Sequence, residues 1–304
     1  AYADCLEASE ITARLAMQAR ADIAATYPAD AEQQALRAVV ERCLNKRQAT
    51  LRLGSGSSLR LDLAPGTHPL SPDNAALFAH IALSPTALKA LPQTLDLALD
   101  VGCGSGAFGF MLLDALATQR RRLQHLCFAD PHQPSLAALA RTLIRHRRQL
   151  PMLDEASLSG ASLLSPLLAT ARKAALICAN LPQTPGPMDF RLDRYGGSDG
   201  AELICALIAD LPTALAADGE CFLLHISLAN PGRVQAAIDA INFSATVIAE
   251  QVRHARFADY TTLHPELSEH LRAEHAAGRA EFVLDTDGQG FSYRARLLRL
   301  RLRP

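Results

Sequence analysis

Apolar residues recur at helical spacing through residues 3–20 and 29–47, and "YPAD" between them supplies a break and an N-cap at Asp30. The period then changes. "TLRLGSGSSLRLDLAPG" is two alternating runs around a Gly-Ser turn and predicts a β-hairpin. "SPDNAALFAHIAL" returns to the helical period, with Ser71 as cap and Pro72 in the first turn. From about residue 95, continuous apolar runs alternate with amphipathic ones. "LDLALDVG" precedes "AFGFMLLDALATQ", and "LQHLCFAD" precedes "SLAALARTLIRHR". "KAALICAN" precedes "GAELICALIADL", and "GECFLLHIS" precedes "RVQAAIDAI". Strands that are apolar throughout are buried on both faces, so the pattern predicts an α/β fold with a parallel sheet between two helical layers. A further short strand is expected near "ASLLSPL", which makes "KAALICAN" the fourth of the series. The tail "EFVLDTDGQGFSYRARLLRLRL" predicts two long strands around Asp-Gly, an antiparallel ending to the sheet. The division this implies is a helical and hairpin cap over 1–94 and an α/β domain over 95–304.

Composition removes several function classes. The chain has 304 residues, 49% of them hydrophobic, and a formal charge of −1, so it can bury a full core without offering a phosphate-tracking surface. The clusters "RRR" (Arg120 to Arg122) and "RHRR" (Arg145 to Arg148) are expected on solvated helix faces. No apolar run approaches the ~18 residues of a membrane span and no leader pattern opens the chain. The expectation is a soluble, cytoplasmic protein with a small-molecule substrate and neither a nucleic-acid nor a membrane partner. Cys5, Cys43, Cys103, Cys127, Cys178, Cys205 and Cys221 form no C-x-x-C pair and are expected buried and reduced. In "HPELSEHLRAEH", His270 and His275 are five residues apart and do not share a helix face, so no metal site is expected. His68, His225 and His254 receive no role.

Candidate chemistry begins at "LDVGCGSGAFG". Asp100 ends a strand, Gly102, Gly104 and Gly106 follow, and a helix then starts. Glycines let backbone approach a ligand closely and reach positive φ. A ligand-free strand–helix turn also uses them. Two features sharpen the reading: an acid stands just ahead of the first glycine, and the next strand ends in a second acid, Asp130, where a carboxylate can grip a ribose diol. This combination resembles the class I S-adenosylmethionine (SAM) methyltransferases. The resemblance implies a Rossmann-like sheet, parallel with an antiparallel terminal strand. It further implies that Asp100 and the glycine loop (Gly102, Cys103, Gly104, Gly106) hold the methionine part and that Asp130 holds the ribose.

The stretch "ICANLPQTP" reaches the same sheet edge. It resembles the N-P-P-Y motif of amide- and base-methylating enzymes, particularly the HemK-like glutamine methyltransferases. "YGGSDGAELICAL" and "HPLSPDNAALF" extend that likeness over most of the chain. In those enzymes the asparagine side chain and the next carbonyl accept hydrogen bonds from the target nitrogen, and the aromatic stacks on a planar amide or base. Here the four positions are Asn180, Leu181, Pro182 and Gln183. The amide acceptor is present and the ring is not, which removes a stacking contribution of roughly 1–3 kcal/mol to a planar substrate. Similar N-[IL]-P-Q segments occur in enzymes that methylate methionine sulfur. A small, non-planar, amino-acid-like acceptor is expected. Asn180 and Leu181 are expected beside the cofactor and Asn180 and Gln183 beside the reacting atoms, although Gln183 also suits a loop-capping amide. Tyr195 can cover the sulfonium through a cation–π contact or simply pack. Asp199 is read as a helix cap, and the first helix, with Tyr2, as a possible lid.

Two reactions follow. One is SAM-dependent methyl transfer to a small amine or thioether. The other is attack of the SAM amine on its own γ-carbon, which releases methylthioadenosine and azetidine-2-carboxylate. That route needs the amine neutral, against a reference pKa near 7.7–8.0. Neither requires a metal.

Overall fold

The computed structural model describes residues 48–303 apart from 65–66, 68–70, 85–86, 90 and 188–193. The helices expected over 3–20 and 29–47, with Tyr2, Cys5 and Cys43, lie outside the described residues, as does His68. The described chain opens with the expected hairpin, β1 (Gln48–Arg52) against β2 (Ser58–Asp62). Its apolar side, Leu51 and Leu59, is fully buried in the same cluster as Phe110 and Phe128. Polar bonds lock its position. Asp114 accepts the Gly54 amide at 2.7 Å, Thr142 Oγ1 accepts the Asp62 amide at 2.8 Å, and Arg145 donates to the Asp62 carboxylate at 2.9 Å. Helix α1 (Pro72–Leu83) follows, with the Ser71 hydroxyl accepting the Asn74 amide.

The α/β sheet is then laid down as expected. Strand β3 (Thr94–Val101) leads to α2 (Ala107–Thr118), β4 (Arg122–Ala129) to α3 (Gln133–His146), and β5 (Leu153–Ser159) to the single turn α4 (Ser165–Leu168). Strand β6 (Ala174–Ala179) leads to α5 (Glu202–Ala214), and β7 (Leu215–Ile226) to α6 (Pro231–Ala240). After β8 (Phe243–Arg256) come α7 (Phe257–Leu263), α8 (Leu267–Ala276), β9 (Val283–Leu284) and β10 (Gly290–Leu302). The strand order is β5-β4-β3-β6-β7-β10-β8, with β9 on the end of β10. Every neighbouring pair from β5 to β7 is parallel, while β10 is antiparallel to both β7 and β8. One core cluster covers one face of the sheet with α1, α2 and the hairpin, and a second covers the other face with α5. Fully buried Phe110, Phe128 and Phe222 anchor the first, at about 1.5–3 kcal/mol each.

Four expectations need correction. The short strand lies at 153–159, not near "ASLLSPL", whose last residues instead begin α4. The tail is not a hairpin of two long strands, because β9 has two residues and the long partner of β10 is β8. Strand β8 escapes pattern reading because it lies at the sheet edge, with no buried residue beyond Phe243. Arg121 is not on a solvated helix face. It is buried and its guanidinium donates to the carbonyls of Leu91 and Pro92, which caps the segment that enters β3. No helix among the described residues is long and apolar enough to cross a membrane.

Candidate active site

In open parallel sheets a ligand crevice forms at the carboxyl ends of the strands, where the strand order reverses. Here the reversal falls between β3, which continues to β4, and β6, on its other side. A cleft of about 1010 Å³ lies there, within the size range of cofactor sites. Because β10 and β8 alternate in direction, Gly290–Tyr293 and Gln251–Arg256 come to the same edge. The cleft therefore runs from Ser162 and Leu163, past the ends of β4, β3 and β6, to Arg253 and Tyr293.

The glycine loop forms its floor. Gly102, Cys103 and Gly104 line the cleft, and the Gly102 and Cys103 amides donate to the Ala129 carbonyl at 2.9 and 3.1 Å. Gly106, with φ of +77°, caps α2 without a side chain, so the helix lacks an oxygen for its first amides. Asp100 supplies that oxygen from the strand end, as Oδ2 accepts the Gly109 amide at 2.9 Å. Asp100 is completely buried, and burial pushes its carboxyl up to about 7, with the Gly109 amide and the Cys178 thiol pulling the other way. Asp100 and Gly106 thus shape the loop from beneath; neither lines the cleft. The spacing of an acid two residues ahead of the glycines signals a remote helix cap, a meaning not legible from the motif. Cys103 is buried, and its thiol is held protonated by that burial and by Asp100 and Asp130.

Asp130 follows the end of β4 and lines the cleft. Its two oxygens accept the Gly104 and His132 amides, both at 2.8 Å, which fixes the plane of the carboxylate. A carboxylate has about four lone-pair sites, so two stay available. Around it Thr67, Ser135 and His132 form a hydrogen-bonded chain, with 2.6 Å between the hydroxyls and 2.7 Å from Ser135 to His132 Nδ1.

Across the floor, Leu181 closes on the glycine loop, so that a Cβ on Gly102 would lie 3.3 Å from its side chain. Asn180 lines the cleft beside it, and its side-chain amide has no hydrogen-bond partner among the described residues. Gln183 differs from the expected substrate contact. Its amide donates to the Leu181 and Leu224 carbonyls at 3.2 and 3.1 Å, and its Oε1 accepts the Ile226 amide at 2.7 Å. Gln183 is the loop-capping amide, spent on tying the turn to β7.

Gln183 still lines the cleft, whereas Tyr195 lies off it. It bridges Thr184 through backbone, and burial, with Glu202 nearby, pushes its phenol up. The aromatic rings that do line the cleft are Phe108, Tyr260 and Tyr293. Asp199 is not the expected helix cap: Ala201 holds the N-cap position of α5 without a side-chain cap bond, and Asp199 accepts the Ala201 amide at 3.1 Å ahead of the helix and is also held by Asn230 and Arg233. His270 Nε2 and His275 Nδ1 donate to the Ser198 and Ala280 carbonyls, and His225 Nε2 donates to the Ala229 carbonyl with its charge disfavoured by burial. Among the described residues no group of three or more His, Cys, Asp or Glu side chains is arranged to hold a metal.

Sequence reading missed Asn74, Arg194, Arg253, Tyr260 and Tyr293, all lining the cleft. Asn74 alone carried a signal, in the quoted "HPLSPDNAALF". The others sit on the unanticipated β8 and α7, on β10, or after the Asn180 turn.

No protein-family model matches the chain, and no curated protein sequence matches it. Among solved structures it is similar to an E. cuniculi complex responsible for methylating a translation termination factor. There the identity is 14% and the TM-score 0.44, over 78% of this chain and 98% of that one. A precorrin-6y methyltransferase from Geobacter metallireducens gives 9% and 0.43, over 80% and 93%. The ribosomal protein L11 methylase of Lactobacillus delbrueckii subsp. bulgaricus gives 18% and 0.40, over 77% and 83%.

Proposed function

We propose that the cleft binds SAM and that the protein transfers its methyl group to a small, amino-acid-like nucleophile. The observation that carries this is the placement of Asp130 and Asn180 on opposite sides of the Gly102–Gly104 floor in one cleft. The residues fit the group: a pinned carboxylate with two acceptor sites left suits a ribose diol, and a side-chain-free floor lets a chain of atoms lie flat against backbone. When bound, SAM supplies an activated methyl for in-line displacement and leaves as S-adenosylhomocysteine.

The chain's own contribution is position. Asn180 offers an unspent amide oxygen to an N–H of the nucleophile and orients its lone pair toward the methyl. Gln183 holds that turn still through β7. Leu181 excludes water at the junction of the two loops. No stacking ring follows Pro182, so a planar base or glutamine amide gains nothing there, whereas a compact amine or thioether does.

A second reading, cyclisation of SAM to azetidine-2-carboxylate with release of methylthioadenosine, has one observation in its favour. Asn74 lines the cleft, and its Oδ1 is enclosed with no partner among the described residues. Asn74 lies one turn before Phe78, which stacks on Phe108 of α2 at 3.6 Å, so this acceptor stands over the start of α2. It suits an amine on the cofactor, either held in place or aimed inward.

Calorimetry with S-adenosylhomocysteine, followed by incubation with SAM alone and mass-detected chromatography, separates these readings. The expected result is binding of S-adenosylhomocysteine and unchanged SAM until an acceptor is added. Methylthioadenosine with a matching C4 amino acid would replace transfer by cyclisation. Absence of binding would overturn both.

A further inference from the structure

Two residues that line the cleft each carry an enclosed polar atom without a partner among the described residues, and the polarities of the two atoms are opposite. Asn74 Oδ1, an acceptor, stands near the glycine loop; Arg253 Nη2, a donor, stands at the far end. Arg253 is half-buried, and its Nε reaches the Gln251 side chain at 3.4 Å, while Nη2 is fully enclosed without a hydrogen bond among the described residues. Leaving a buried donor unmade costs about 1–3 kcal/mol, more when it is charged, so such atoms in native proteins are matched by water, an ion or a ligand.

The charge around it is one-sided. The acids lining the cleft are Asp73 and Asp130, on α1 and after β4, away from the β8–β10 end. The β8–β10 end carries Arg253 and Arg194. Both guanidiniums are close enough to act on the Tyr260 phenol, which burial and Tyr293 push up and the two arginines draw down. Arg253 pairs across the ladder with Tyr293, so their side chains share a face of the sheet.

We propose that Arg253, with Arg194 beside it, anchors the carboxylate of the methyl acceptor. A guanidinium presents two parallel N–H groups that match a carboxylate, and a desolvated site strengthens that pair. Strand β8 lies three strands from β6, about 14 Å at sheet spacing, and the arginine side chain reaches back over part of that. The acceptor is therefore an amino acid held by its carboxylate, with its nucleophilic side-chain atom several bonds away, toward Asn180. This rests on the methyl-transfer reading and deepens it.

The test titrates the protein saturated with S-adenosylhomocysteine, first with the twenty free amino acids, then with the carboxamide of the best binder. Wild type, Arg253→Met and Arg253→Lys are compared. The expected result is one amino acid whose affinity falls tenfold or more on amidation and on Arg253→Met. The two losses should not add, and Arg253→Lys should recover part. S-adenosylhomocysteine affinity should stay within twofold in both variants, which also shows that they fold. If no amino acid binds, or if amidation and substitution leave binding unchanged, the anchor is overturned while the cofactor reading stands. If Arg253→Met instead weakens S-adenosylhomocysteine tenfold and spares methylthioadenosine, the guanidinium grips the cofactor's own carboxylate and the assignment to an acceptor is wrong. Failure of S-adenosylhomocysteine to bind wild type overturns the cofactor reading, and the anchor with it.

Discussion

Gln183 Oε1 accepts the amide of Ile226 at 2.7 Å, and this bond joins the turn after β6 to the end of β7. With the two bonds its Nε2 donates, the buried Gln183 side chain satisfies three backbone groups at the cleft wall. Gln183→Ala strips partners from all three at once. We expect a loss of about 1–3 kcal/mol in denaturant unfolding, the cost of unmade buried bonds. S-adenosylhomocysteine affinity should weaken with it, because the loosened turn carries Leu181 against Gly102. Unchanged stability with lost turnover would instead make Gln183 a substrate contact.

Asp100 predicts a pH dependence with a definite sign. Its carboxyl is raised from 3.8 to about 7 by burial, so between those values the folded protein holds a proton that the unfolded chain has released. The unfolded state then binds fewer protons, and stability falls as pH rises. The Asp100 contribution is complete below pH 3.8 and is lost by the time pH has risen through about 7. Denaturant melts of wild type and Asp100→Asn at several pH values from 4 to 8 isolate it. Wild type should lose ground to the neutral variant across that window and stay parallel above it. A flat difference would mean that Asp100 is ionised throughout and that the Gly109 amide outweighs desolvation.

Gly196 is fixed by space. A Cβ there would lie 2.5 Å from Gln183 Cα and 2.8 Å from the Pro182 carbonyl oxygen, and would also strike the Gly200 carbonyl. These are backbone atoms and cannot swing aside. The Gly196 amide meanwhile donates to the Thr184 carbonyl at 3.0 Å, and the Glu202 amide to the Gly196 carbonyl at 2.9 Å. Gly196→Ala is expected to destabilise by about 1–3 kcal/mol through overpacking, and to lower turnover more than Gly232→Ala, where the nearest atom lies at 3.8 Å and φ is ordinary. Thermal unfolding and cofactor titration of the two variants check this. An unaffected Gly196→Ala would show that the 194–197 segment does not brace the turn.

The sheet was legible because its strands are apolar throughout and its helices periodic, a consequence of burial on both faces. Strand β8 was not, because an edge strand is free to carry Glu250, Arg253 and Arg256 between short apolar residues. That the glycine loop and Asp130 meet in one cleft was legible because a strand–helix turn with positive φ and a strand end at the same sheet edge each leave a mark in the sequence. The structural part played by Asp100 was not legible for a physical reason: the motif fixes which residue is acidic, and only the three-dimensional turn reveals that its oxygen faces Gly109. Gln183 and Tyr195 share that difficulty, since an amide or a ring next to a site serves either the ligand or the backbone. Arg253 had no local signal, being joined to the site by an antiparallel crossing more than seventy residues after Asn180.

Asn180 offers the sharpest probe of the reaction. Its side chain contributes no bond to another described residue, so Asn180→Ala should change stability by less than about 0.5 kcal/mol. The effect on rate depends on the nucleophile. An amine carries an N–H that the amide oxygen can accept, and removing that acceptor should lower turnover about 10²-fold through lost orientation. A thioether has no proton to offer, and the same substitution should then cost little. Asn180→Asp separates the cases further. A carboxylate would favour the ammonium form of an amine and suppress transfer below the alanine variant, whereas a sulfur acceptor carries no such proton. Initial rates of S-adenosylhomocysteine release for the three proteins, with the acceptor held saturating, therefore read out the attacking atom. Equal rates in all three would remove Asn180 from the reaction and leave it as the wall of the cleft.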